Sequence, residues 1–155
     1  MIYDLISLLN EWKMIKKSRL LDVSDEAFQH RLKVQKASLL LRHLGISPFR
    51  DYSFSLYIEG PYSPELARDI YDGKSLKFTA DRTTVRRLKW FVNHDSRWLE
   101  VASSTIFILE RYPDMSEKNV PSLLRLSKPW IADMEFKEIY HDLVSEGLVR
   151  QPAVL

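Results

Sequence analysis

The chain has 155 residues, a net charge of +2 and no cysteine, which is the size of one domain burying roughly two-thirds of its unfolded surface in a single core. The missing cysteine excludes disulfides, thiolate metal sites and cysteine nucleophiles together, and fits a reducing cytoplasm. There is no basic leader before an apolar cleavable stretch, and no apolar run approaches the roughly 20 residues of a membrane span, so a single cytoplasmic domain without membrane contact is expected.

Ile2, Leu5, Ile6, Leu9 and Trp12 recur at helical spacing and predict a first amphipathic helix from about Ile2 to Ile15, followed by the basic linker Lys16-Lys17-Ser18-Arg19. A second helix starts near Ser24, with Asp25 and Glu26 in its first turn, and stops at Gly45. Its inner face is Val34, Ala37, Leu40, Leu41 and Leu44. From Tyr52 to Ile58 apolar residues alternate (Tyr52, Phe54, Leu56, Ile58), which predicts a half-buried strand whose polar face only Tyr57 interrupts. Pro61 lacks an N–H and restricts Gly60, so the ladder is expected to stop there. Ser63 then caps a helix with Pro64 at its first position, Leu66, Ala67, Ile70 and Tyr71 on one face, and Gly73 as its end.

Ser75 to Thr79 is a short extended segment expected to pair with the Tyr52–Ile58 strand. Thr83 or Thr84 caps a basic helix carrying Val85, Leu88, Phe91 and Val92, and Asp95-Ser96 caps the next one. That helix, with Trp98, Ala102, Thr105, Leu109 and Tyr112 in one stripe and Leu99, Ile106 and Ile108 beside it, is predicted to be the buried centre of the fold and to end before Pro113. A short helix from Val120 to Leu126, capped by Asn119, precedes a last helix from Asp133 to Glu146 on Phe136, Ile139, Tyr140 and Leu143, with an extended tail, Leu148-Val149-Arg150. The fold class expected is mainly α, six or seven helices around one central buried helix with a minimal β element. The last two helices and the tail have the outline of a winged-helix-like C-terminal part.

No catalytic constellation is present in the sequence. His30, His43, His94 and His141 lie on different elements without a second ligand at metal-site spacing, and the four glycines, all at turns or helix ends, build neither a dinucleotide fingerprint nor a phosphate loop. His94-Asp95 and His141-Asp142 are adjacent on helices and do not face each other. Ser63 lacks the Gly-x-Ser-x-Gly setting of a nucleophile elbow. No catalytic residue, metal or cofactor is therefore expected.

Two surfaces remain. Tyr57, Gly60, Pro61, Tyr62 and Ser63 form an aromatic, rigid turn suited to contact with a protein partner. Arg82, Arg86, Arg87 and Lys89, interleaved with Trp90 and Phe91 and extended by Lys33 and Lys36, could track a phosphate backbone. The last helix, with Glu135, Glu138, Asp142 and Glu146, would repel a duplex.

The segment Arg31-Leu-Lys-Val-Gln-Lys-Ala-Ser-Leu-Leu-Leu-Arg-His-Leu-Gly45, the strand after it, Gly60-Pro-Tyr-Ser-Pro-Glu-Leu66 and the late Leu126-Ser-Lys-Pro129 together resemble the YwgA-like family and, more distantly, the Panacea (SocA-like) domain. The resemblance implies a mainly helical protein that acts by binding, as an antitoxin neutralising a partner toxin, such as the product of a neighbouring gene, or as an adaptor. It makes nucleic-acid binding the second expectation.

Overall fold

A computed structural model describes residues 1–150 of the protein. Seven α-helices and four three-residue strands follow in the order β1 (Ile2–Asp4), α1 (Leu5–Glu11), α2 (Asp25–His43), β2 (Ser55–Tyr57), β3 (Gly60–Tyr62), α3 (Pro64–Tyr71), β4 (Lys77–Thr79), α4 (Arg82–Val92), α5 (Ser96–Arg111), α6 (Val120–Ser127) and α7 (Asp133–Ser145). The fold is mainly α with a minimal β component. Helix α5 is its axis. It touches α2, β3, α6 and α7, and Leu99, Val101, Ala102, Ser103, Ser104, Thr105, Ile106 and Ile108 are buried along it.

Local chemistry explains most of the helix boundaries. Side-chain oxygens of Asp4, Ser24, Ser63, Asp81 and Asp95 accept a backbone N–H from the first turns of α1, α2, α3, α4 and α5 respectively, satisfying donors that have no intrahelical partner. On α4 the cap is thus Asp81, not Thr83 or Thr84, because the Asp81 carboxylate reaches Thr84 N at 2.8 Å. Asn119 precedes α6, but its side chain makes no capping bond. Glycines 45, 73 and 147 close helices α2, α3 and α7 with φ between +70° and +78°. The inner face of α2 is as expected except that Leu44 is only partly buried, and on α3 Tyr71 is exposed; Tyr112 at the end of α5 is exposed too.

The β structure differs from the sequence expectation in both its parts. Ile2–Asp4 is a strand and not the first turn of a helix, and it pairs antiparallel with β4 in the register Ile2↔Thr79, Tyr3↔Phe78, Asp4↔Lys77. Segment Ser75–Thr79 therefore joins the N-terminus and not the Tyr52–Ile58 strand. Asp4 secures the junction by capping α1 and accepting from Leu76 N at 2.9 Å. Helix α1 stops four residues earlier than its periodicity suggests, because Lys13 takes a left-handed conformation (φ 62°) that turns the chain. At the other end, residues 148–150 form no strand, so no wing follows α7 among the described residues. Leu148 is instead buried.

Candidate functional site

The stretch around Gly60-Pro61 is a two-stranded hairpin, with Ser55↔Tyr62, Leu56↔Pro61 and Tyr57↔Gly60 opposed and Ile58-Glu59 as its two-residue loop. Pro61 does not end the ladder, contrary to expectation. Opposed residues of an antiparallel pair alternate between those that exchange hydrogen bonds and those that do not. Pro61 stands opposite Leu56, between the other two pairs, where a missing N–H costs the ladder nothing. Gly60 has φ +106°, a conformation open to glycine and not to L side chains.

The hairpin is pinned at both ends by side chains from distant elements. At its base Gln35 of α2 pairs with the Ser63 backbone, donating from Nε2 to Ser63 O and accepting from Ser63 N, both at 2.9 Å. Near its tip Lys128, which follows α6, donates from Nζ to Ile58 O at 2.7 Å. Beyond these pins the loop faces solvent. Tyr57 is 48% exposed and Ile58 74%, while the Tyr57 and Tyr62 rings meet edge to face with centroids 5.5 Å apart.

Beneath the hairpin lies a polar bed and not an apolar one. A Cβ on Gly60 would lie 3.4 Å from Ser103 Oγ, 3.5 Å from Ser104 Oγ and 3.6 Å from Lys36 Cε, so hairpin, α2 and α5 converge there. Lys36 is 4% exposed and Lys128 1%. Glu100, half-buried on α5, places Oε1 3.9 Å from Lys128 Nζ. Burial lowers the pKa of Lys36 to about 8 against the opposing pull of Glu100, lowers that of Lys128, and raises that of Glu100. Ser104 Oγ is buried without a hydrogen-bond partner among the described residues. Three segments singled out in the sequence, Lys33-Val-Gln-Lys36, Gly60-Pro-Tyr-Ser63 and Leu126-Ser-Lys-Pro129, are therefore assembled at one place.

Of the five residues expected to meet a protein partner, Tyr57 is exposed and Tyr62 partly so, whereas Gly60, Pro61 and Ser63 are buried and shape the hairpin from within. Sequence reasoning missed Lys128, Glu100, Ser103 and Ser104 as parts of this site. A signal existed: Lys36 stands at helical spacing between Leu32 and Leu40, and Ser103-Ser104 interrupts an apolar run, so each was a polar residue in a core position.

The basic residues are less of a surface than their order implies. Arg86 Nη1 lies 3.5 Å from Glu146 Oε2, Lys89 Nζ stands 5.6 Å from the centroid of the Trp12 ring, and the Arg87 guanidinium packs against Gly147. Arg82 is exposed, Lys33 is partly buried, and Lys36, expected to extend the stripe, is inside the fold. Phe91 is buried and Trp90 packs against His94 and Trp98, so these rings are engaged with one another. On α7, Glu135 binds Arg97 through two hydrogen bonds and Asp142 accepts from Trp98 Nε1 at 3.2 Å. Among the described residues no three His, Asp or Glu side chains are placed to hold a metal, and no helix is long and apolar enough to cross a membrane.

No family model matches the chain, and neither a curated protein nor a solved structure does.

Proposed function

We propose that the protein is a non-enzymatic interaction module, antitoxin- or adaptor-like, that binds a protein partner through the tip of the 55–62 hairpin. The observation that carries this reading is the contrast within the hairpin: it is pinned by Gln35 and Lys128, yet leaves Tyr57 and Ile58 open to solvent. A pre-positioned apolar tip loses little conformational freedom on binding, which is the property of an anchor residue at an interface. The nearby α6–α7 turn adds Leu126, Trp130 and Met134, all exposed, with Arg97 stacked 4.1 Å over the Trp130 ring.

The test is affinity capture from the source cell, with the product of the neighbouring reading frame as first candidate, followed by a binding titration of whatever specific partner is retained. Ile58→Asp is expected to weaken that complex at least tenfold, a loss of about 1.4 kcal/mol or more, with thermal stability unchanged. A partner held equally well by Ile58→Asp and Tyr57→Ala would remove the hairpin tip from the interface.

A further inference from the structure

Where α2 runs beside α3, side chains one turn apart on each helix line a pocket between them. Leu32 and Ile70 are buried at its floor, Phe28 and Tyr71 are exposed at its rim, and Tyr62 of β3 closes one end. The space they enclose is about 110 Å³. A dry apolar cavity of about 150 Å³ admits benzene, so this one takes a body of roughly four or five carbons. Besides the tyrosines, two polar side chains line it, both from α2. Gln35 is committed, since its amide oxygen accepts from Ser63 N and its amide nitrogen donates to Ser63 O. The bonds of Arg31 orient it without neutralising it. Its Nη1 donates to Leu20 O at 2.8 Å and to Asp22 O at 3.0 Å, both uncharged carbonyls, and its guanidinium carbon stands 5.8 Å from the centroid of the Tyr71 ring. The guanidinium is thus held at the rim, and its Nε–Nη2 edge, a fork that matches the two oxygens of a carboxylate, takes no part in either bond.

We propose that this pocket binds a small monocarboxylic acid with a branched or ring-sized apolar body, the body lying against Leu32 and Ile70 and the carboxylate on the Nε–Nη2 edge of Arg31. A neutral ligand of the same shape gains only the apolar contact, whereas a carboxylate adds a charge-assisted, two-bond pair. A dianion brings a second charge, and Arg31 is the one cation in the lining. A peptide fits less well than a free acid, because its N–H groups need acceptors and the amide oxygen of Gln35 already serves Ser63 N. The pocket shares only Tyr62 with the 55–62 hairpin, and the proposal does not rest on the hairpin tip binding a protein.

The experiment titrates isotope-labelled full-length protein, at constant ionic strength, with 4-methylpentanoate, its uncharged amide, acetate and N-acetylalanylleucine, and follows the methyl resonances of Leu32 and Ile70. 4-Methylpentanoate is expected to shift them saturably and to bind at least about tenfold more tightly than the amide or acetate. Arg31→Gln is expected to bring acid and amide to within about twofold of each other. Ala67→Leu, which puts a larger side chain on the α3 wall of the pocket, is expected to abolish binding of both while the thermal midpoint is kept. Absence of a saturable shift with 4-methylpentanoate would overturn the site. Equal affinity for the amide would overturn the part given to the carboxylate, and equal affinity for acetate the part given to the apolar body. Tighter binding of N-acetylalanylleucine would overturn the choice of a free acid in favour of a peptide C-terminus, and undiminished binding to Ala67→Leu would overturn the placing. Where Arg31→Gln fails to fold for want of its bonds to Leu20 and Asp22, the ligand series and Ala67→Leu still decide.

Discussion

Helices α2 and α5 are joined by two polar clusters, one partly open to water and one more deeply buried, and the two differ in how their polar atoms are satisfied. Toward the C-terminal ends of both helices, Arg42 Nη1 donates to Glu110 Oε2 at 2.8 Å, while His43 lies between Glu110 Oε1 at 2.9 Å and Leu148 O at 2.7 Å. Both His43 neighbours are acceptors, so the imidazolium, with two N–H donors, is the form that satisfies them. Only Arg42 Nε is left over. Under the hairpin Lys36 and Ser104 converge on Gly60, and Ser104 Oγ is buried without a hydrogen-bond partner among the described residues. A satisfied cluster acts as a clamp, whereas a buried polar atom without a partner forfeits its hydration for nothing.

The largest effect expected is on the apolar ground between the clusters. Ile106 is fully buried midway along α5, and Ile106→Ala should lower stability by about 2–5 kcal/mol in urea unfolding. A change within about 0.5 kcal/mol would mean that the polar clusters and not the core hold α5 in place. Next comes the clamp. Glu110→Gln leaves the Arg42 and His43 donors short of their acceptor charge and should cost about 1–3 kcal/mol, discounted because the pair is partly open to water.

Lys36→Met should behave in the opposite way. Exchanging a buried cation whose charge burial disfavours for an apolar chain of similar length is expected to be neutral or stabilising by about 1–2 kcal/mol. A loss as large as that of Glu110→Gln would erase the distinction between the clusters.

The smallest expected effect is the most diagnostic, since the clusters should respond to pH with opposite signs. Opposed by burial but held by the Glu110 hydrogen bond and the Leu148 carbonyl, the His43 pKa stands above its ordinary value. Its contribution is therefore fully present below about pH 6.5 and is lost as pH rises through the folded pKa. Glu110, lowered by His43 and Arg42 against the effect of burial, contributes above its ordinary carboxylate value and loses that contribution on acidification. Lys36, lowered to about 8 by burial, binds fewer protons folded than unfolded between that value and its ordinary 10.5, so there stability gains from rising pH. Denaturation midpoints between pH 5.5 and 10 should show His43→Gln flattening the fall near neutrality and Lys36→Met removing the alkaline gain. Parallel profiles for the two variants would refute the contrast.

By itself the sequence determined that the helices exist and, apart from both ends of α1 and the cap of α4, where they start and stop. Periodic apolar residues, the oxygens of Ser24, Ser63 and Asp95, and glycines at 45, 73 and 147 act within one or two turns, so the information for each helix lies inside or beside it. It also named the hairpin segment and the lysine-glutamine helix as separate texts. Tertiary structure alone decided what they do together. The β1–β4 pair joins three-residue strands more than 70 positions apart, and such strands have no local pattern to announce the partner. The same holds for Lys128 on Ile58 O and Gln35 on Ser63: side-chain bonds between distant elements follow from how α5 packs the core, and only that packing turns Lys36 and Ser104 inward to the same spot. Burial, and with it the charge behaviour of Lys36 and His43, is a property of the assembled fold and not of the residues that undergo it.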